Sequence, residues 1–321
     1  MRRIVILFGS LIAALAIVLA LTARTHTPPF RHPDGRLVEG SIAEERRVTL
    51  GGWEQYVLIR GRERAAPILL YLHGGPGTSE MPFVRIYNAA LENDFVLVNW
   101  DQRGTGKSYS STLDPATLTL DRMARDADEL VDLLRAEFGQ KRILLVCHSW
   151  GTILGLEYVA RHPEKVAAYV GVGQESNAAE SDALGYAWVL AEAHARGDDK
   201  AVKTLEEIGA PPYSIKEVRR QRTDVWKYGG AFRESRSLFE VMFTALKAPE
   251  ASWPDYIAFV RGTSMSLNAL WPSMQAFDAN RSYPRFNVPV FFLLGRHDRQ
   301  VSSALAADYF GRLEAPRKEL V

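Results

Sequence analysis

Ser149 stands where a hydroxyl could do nucleophilic chemistry. It is the centre of Cys147-His148-Ser149-Trp150-Gly151, directly after the apolar run Ile143-Leu144-Leu145-Val146 and directly before the helix-like run Thr152 to Arg161. A strand, a sharp turn, a serine and a helix hold the hydroxyl proud of a parallel sheet. The usual form of this pentapeptide has Gly at both ends. Here Cys147 takes the first position, and cysteine is small enough for a crowded turn. Serine is a poor nucleophile at neutral pH. It needs a base, usually His, to take its proton and an acid to orient that base.

Acyl transfer also builds negative charge on a carbonyl oxygen, which fixed backbone N–H groups stabilise. His73-Gly74-Gly75-Pro76-Gly77 follows the apolar run Ile68 to Leu72 and suits that task. Gly74 and Gly75 let the chain approach a substrate with no Cβ in the way. A third polar, glycine-punctuated exit, Asp101-Gln102-Arg103-Gly104-Thr105-Gly106-Lys107-Ser108, follows Phe95 to Val98. With these three stretches the chain resembles α/β-hydrolases of the proline iminopeptidase group, serine aminopeptidases that carry a cap domain. The resemblance runs from about Arg46 to the C-terminus. It implies Ser149 as nucleophile and the N–H groups of Gly75 and Trp150 as the oxyanion hole. It also implies carboxylates near the cap that bind a substrate's free α-ammonium, for which Glu175 and Glu180 are the candidates.

In this fold the triad runs along the chain as Ser, then Asp or Glu, then His. Asp298, in Gly295-Arg296-His297-Asp298, follows the apolar run Val290–Leu294 and so lies at the C-terminal end of a strand, where such sheets carry their sites. The base is harder to place. All seven histidines, at 26, 32, 73, 148, 162, 194 and 297, precede Asp298. His73 belongs to the oxyanion loop, the His148 side chain is expected to point away from Ser149, and His297 needs a rearranged loop to reach it. In the family, the catalytic His follows the strand that Lys318 to Val321 would begin, and a closing helix follows that His. The chain therefore reads as ending before both, with an unpaired edge on Val290–Leu294. The expected activity is cleavage of the amide bond at the N-terminus of small peptides through an acyl-enzyme at Ser149. The alternatives are an esterase or lactone hydrolase of the same fold, or a catalytically inactive truncated form that only binds.

These residues need a scaffold, and the pattern supplies one. Near-continuous apolar runs at Ile68–Leu72, Phe95–Val98, Ile143–Val146, Ala168–Val172 and Val290–Leu294 predict parallel strands covered on both faces. Residues 47–60 alternate around Gly51-Gly52 and predict a hairpin. Leu120, Met123, Ala127, Leu130, Leu134 and Phe138 step by three or four, marking an amphipathic helix. Alternating strands and helices give an α/β-hydrolase fold, a mostly parallel doubly wound sheet. The periodicity turns helical from about Glu180, and Trp188, Trp226, Trp253 and Trp271 fall there. The predicted division is 1–24 membrane anchor or signal segment, 25–45 tether, 46–179 first part of the core, 180–285 helical cap, and 286–321 second, truncated part of the core. The cap tryptophans are expected mainly to fill its core, with one or two lining an apolar pocket.

Composition excludes other classes. The formal net charge is +1, which gives no electrostatic footprint for nucleic acid. One cysteine rules out an internal disulfide. No metal-ligand spacing is present, and no cofactor is called for. Met1-Arg2-Arg3 followed by the apolar run Ile4 to Leu21 predicts membrane attachment through residues 4–21. The basic flank places the catalytic domain outside the cytoplasm. Secretion after signal cleavage is the alternative.

Overall fold

The computed structural model describes residues 25–231 and 243–321. One eight-stranded sheet runs through it: β1 Ile42–Leu50, β2 Trp53–Gly61, β3 Ile68–Leu72, β4 Val96–Asp101, β5 Ile143–His148, β6 Val166–Val172, β7 Val290–Leu293 and β8 Lys318–Leu320. The strand order is β1-β2-β4-β3-β5-β6-β7-β8. The β1–β2 and β2–β4 pairs are antiparallel; the other pairs are parallel. The hairpin joining β1 to β2 turns on Gly51 and Gly52, both at positive φ, as a two-residue connection requires. Strands β3 and β4 are buried almost throughout, which is why their sequences are apolar without alternation.

The chain leaves β3 for β4 on one side and later returns to place β5 on the other. The C-terminal ends of β3 and β5 thus flank the point where the strand order reverses, the place where open α/β sheets bind ligands. Helix α1 (Met81–Tyr87) follows β3, α2 (Leu120–Phe138) follows β4, and α3 (Trp150–Arg161) follows β5. Helix α2 begins on Thr119, whose side chain accepts the Arg122 N–H, and ends on Gly139 at positive φ. Its face of Met123, Ala127, Leu130 and Leu134 is buried in the main core, as its spacing predicts.

Between β6 and β7 the described residues form helices: α4 Ala178–Ala195, α5 Asp199–Ile208, α6 Ile215–Lys227, α7 Trp253–Gln275 and α8 Ala279–Ser282. Val189, Ala193, Ala201, Leu205 and Val225 make a second, smaller hydrophobic cluster of their own. Helix α7 reaches down onto the loops of the sheet. Its Thr263 hydroxyl donates to the Gly77 carbonyl at 2.8 Å. A Cβ on Gly77 would fall 2.6 Å from Ser266 Cβ. Helix α9, Ser303–Arg312, connects β7 to β8.

Three expectations are corrected here. Strand β1 begins at Ile42, inside the segment read as a tether. Residues 25–38 are also held down: the Arg60 guanidinium donates to Thr27 and to the Pro28 carbonyl at 2.8 Å and lies over the Phe30 ring. The edge of β7 is not open, because Lys318–Leu320 pairs with Val290–Phe292 in parallel register and the Leu294 N–H donates to Val321. Membrane anchoring with an extracytoplasmic catalytic domain is withdrawn, because nothing among the described residues carries it. Among the described residues no helix is long and apolar enough to cross a membrane. The run 4–21 on which that reading rested lies outside the described residues.

Candidate active site

Ser149 sits between β5 and α3 with φ 50° and ψ −119°, and is the non-glycine residue at positive φ among the described residues. That backbone is strained for an L-residue and is held only because its surroundings over-determine it. Gly151 shows how tight the turn is: a Cβ there would fall 2.1 Å from the Leu72 carbonyl oxygen. Cys147 is tolerated at the first position because Gly155, one turn into α3, leaves room. A Cβ on Gly155 would fall 2.4 Å from Cys147 Sγ. The glycine expected in the turn is thus offset by a glycine in the helix.

The His73–Gly77 loop and the turn at Ser149 are tied together by Gln102. Its N–H donates to His73 Nε2 at 3.1 Å, its side-chain amide donates to the His73 carbonyl at 3.2 Å, and its Oε1 accepts the Trp150 indole N–H at 3.3 Å. Because Nε2 must accept, Nδ1 carries the proton and donates to the Gly74 carbonyl at 2.8 Å. Burial pushes the His73 pKa down, so this ring is a neutral structural strut. Asp101 braces the same loops: it accepts from the Ser79 hydroxyl at 2.5 Å and from the Lys107 N–H at 2.8 Å. Arg103 forms a buried pair with Asp126 at 2.7 Å. The motif from Asp101 to Ser108 is therefore scaffold for the site, and its partners could not be read from its own residues.

Gly75, at φ 120°, and Trp150 border the same cavity as Ser149. This cavity has a volume of about 650 Å³. Its far wall comes from α6 and α7, with Val218, Arg222, Trp226, Leu267, Trp271 and Met274. Two of the four tryptophans are thus in the cavity wall. Trp188 packs against the second cluster, and Trp253 is 43% exposed, with its ring against Tyr256. The cavity floor also includes Gln300 and Val301, whose N–H groups both donate to Asp298 Oδ1 at 2.9 Å. Burial raises the Asp298 pKa against the effect of those two N–H groups. Its Oδ2 lies on the side of Gly173, 3.6 Å from where a Cβ would stand there.

The structure separates the two carboxylates named for substrate binding. Glu175 is buried in the cavity wall, with its Oε1 accepting the Ser176 N–H at 3.1 Å. Burial first, and the nearby Asp182 carboxylate second, push its pKa up to about 7. Glu180 is exposed in the first turn of α4 and is not in the cavity; its N–H is capped by the Asn177 side chain. Its acidic side chain suits a helix start, which is the reason for its position.

Histidines fall as follows. His297 is exposed beside Asp298, and His162 faces Asp128 at 3.6 Å. The His148 Nδ1 pairs with Glu80 Oε1 at 2.7 Å. Sequence reading passed over Glu80. The one signal it offered was an acidic residue three places after the glycine loop, just ahead of the Met81-Pro82 helix start.

The sequence pattern described as the alpha/beta hydrolase fold matches residues 67–198. A Bacillus subtilis protein named "Probable aminopeptidase YbaC" is 31% identical over 280 residues, covering 87% of this chain and 88% of that protein. A shorter stretch of 110 residues is 38% identical to a "Probable proline iminopeptidase" of Streptomyces coelicolor, over 33% of each chain. Among solved structures, a proline iminopeptidase-related protein of Thermus thermophilus superposes with a TM-score of 0.63 at 20% identity, over 87% of this chain and 89% of that one.

Proposed function

The chain belongs to the α/β-hydrolases of the proline iminopeptidase-like family, and from that membership we propose that it cleaves the amide bond at the N-terminus of small peptides through an acyl-enzyme on Ser149. The observation that carries this reading is the strained Ser149 elbow in the wall of a cavity of about 650 Å³, next to Gly75 and Trp150. In the proposed reaction the Ser149 oxygen attacks the carbonyl carbon of the N-terminal residue. The N–H groups of Gly75 and Trp150 receive the charge that develops on the carbonyl oxygen. The Ser149 proton ends on the amine of the shortened peptide as the C–N bond breaks, and water then hydrolyses the ester, restoring the Ser149 hydroxyl and releasing the amino acid.

Asp298 is the acid that would orient an imidazole between itself and Ser149. Its Oδ1 is satisfied by backbone N–H groups, while Oδ2 faces the Gly173 side. None of the described histidines hydrogen-bonds to that carboxylate, and no residue is assigned as base. Glu175 fits the role of partner to the substrate's α-ammonium. It is the acidic side chain in the cavity wall, and an ammonium beside it would favour its ionised form.

The test is covalent labelling with an uncharged fluorophosphonate, read by peptide mapping, together with turnover of alanyl- and prolyl-naphthylamide and a short-chain nitrophenyl ester. Labelling should fall on Ser149 and vanish in Ser149→Ala, with kcat for the amide falling on the order of 10⁴-fold or more. Modification at another residue would sink the assignment. Ester turnover with no amide turnover would select the esterase alternative.

A further inference from the structure

Beside the nucleophile lies an acid–imidazole pair that the reaction above does not use. We propose that Glu80 and His148 are positioning residues, a carboxylate–imidazolium pair that clamps the oxyanion loop to the nucleophile elbow and holds a positive charge beside Ser149. The proposal rests on the serine-hydrolase reading of Ser149.

Geometry carries it. Glu80 is the residue at the start of α1, yet its side chain makes no capping hydrogen bond there. Both carboxylate oxygens are used elsewhere: Oε1 on His148 Nδ1 at 2.7 Å, and Oε2 on the Tyr71 hydroxyl at 2.9 Å. The pair converges on Gly74 of the oxyanion loop. The point where a Gly74 Cβ would stand is 2.8 Å from Glu80 Oε1, 3.2 Å from His148 Nδ1 and 3.2 Å from Ser149 Cβ. The loop, the end of β5 and the nucleophile therefore share one contact, and a side chain on Gly74 would break it. On the other edge of the ring, His148 Nε2 lies 3.9 Å from the Cβ position of Gly173, and Asp298 Oδ2 lies 3.6 Å from the same point. The imidazole thus stands between two acids on different loops. A salt bridge whose partners are 68 residues apart holds a fixed geometry only because the sheet brings β3 and β5 side by side.

The charges agree with the geometry. Burial alone would lower the His148 pKa, but the Glu80 carboxylate, by charge and hydrogen bond, and then Asp298 outweigh it, and the net is upward. Burial would raise Glu80, but His148, by charge and hydrogen bond, and the Tyr71 hydroxyl outweigh it, and the net is downward. The groups facing the ring are Glu80 ahead of α1, neutral His73 at the end of β3, and Asp298 after β7. The pair is charged between the lowered value of Glu80 and the raised value of His148. Above the latter the positive charge is lost and the clamp weakens.

The experiment follows the rate of fluorophosphonate labelling of Ser149 against pH in the full chain. The wild type should lose reactivity as pH rises through the raised His148 value. His148→Gln keeps an N–H donor for Glu80 without the charge; it should lose that alkaline fall and label roughly tenfold more slowly at neutral pH, the scale by which a charge-assisted hydrogen bond exceeds one from a neutral donor. Glu80→Gln should move the fall to lower pH. NMR provides a second measurement that needs no labelling. The His148 ring and the Gly75 and Trp150 amides should titrate together in the wild type, above the ordinary imidazole range. An alkaline fall unchanged in His148→Gln overturns the proposal, as do Gly75 and Trp150 amides that stay silent while His148 titrates. If Ser149 is never labelled but ring and amides titrate together, the serine-hydrolase reading falls and the clamp stands.

Discussion

Glu175 is the residue whose chemistry is most open to a direct pH test. Its carboxyl is pushed up to about 7 by burial and by Asp182. A raised carboxyl is neutral below that value and ionised above it, so it can pair with an ammonium only on the alkaline side. With substrates carrying a free α-amine, kcat/KM should fall as pH drops through about 7. An N-acetylated analogue has no ammonium and should lack that limb. The ratio of the two profiles cancels the titration of Asp298 and of the base. Glu175→Gln should flatten the ratio; a ratio that keeps its acid limb in this variant would remove Glu175 from the binding site.

At the scale of elements, the elbow depends on how closely α3 approaches β3. The Gly151 Cβ position lies 2.1 Å from a backbone oxygen of β3, which no side-chain rotation can relieve. Gly151→Ala must push α3 away from the sheet, and overpacking of this kind costs about 3 kcal/mol or more. The denaturant midpoint should fall with an unchanged slope, and fluorophosphonate labelling should fall further than folded protein is lost. A Gly151→Ala variant of wild-type stability would show that the turn is looser than its contacts imply. The same closeness explains why Cys147 is accepted: the space a glycine would have left in the turn is found at Gly155.

Across the whole molecule, one buried network joins the first described residues to the segment ahead of α7. Arg60 and Arg85 pair with Glu92, Arg85 donates to Glu250 at 2.9 Å, and the Thr27 hydroxyl donates to Glu250 at 2.9 Å. Glu250 is fully buried and Arg60 nearly so. Glu250→Ala leaves two buried guanidinium groups sharing one carboxylate, and breaking a buried pair in this way costs about 3–5 kcal/mol. Chemical denaturation should register that loss, and limited proteolysis should cut first within residues 25–38. Cleavage there at the wild-type rate would show that the N-terminal segment is held by its other contacts alone.

Much of this protein was legible in its sequence because the information is local. A strand buried on both faces must be apolar throughout, so Ile68–Leu72 announced itself. A helix with one buried face must repeat every three or four residues, so Leu120–Phe138 was found to the residue. The elbow at Ser149 imposes its small neighbours within five positions. Tertiary structure alone decided what depends on residues far apart in the chain. Glu175 and Glu180 are five places apart, and only the start of α4 turns one into the cavity and the other to solvent. Lys318–Leu320 pairs with β7 through backbone groups that no side-chain pattern encodes. Glu80 meets His148 because β3 and β5 are neighbours in the sheet, and strand order is set by how helices pack on both faces rather than by either strand's own residues.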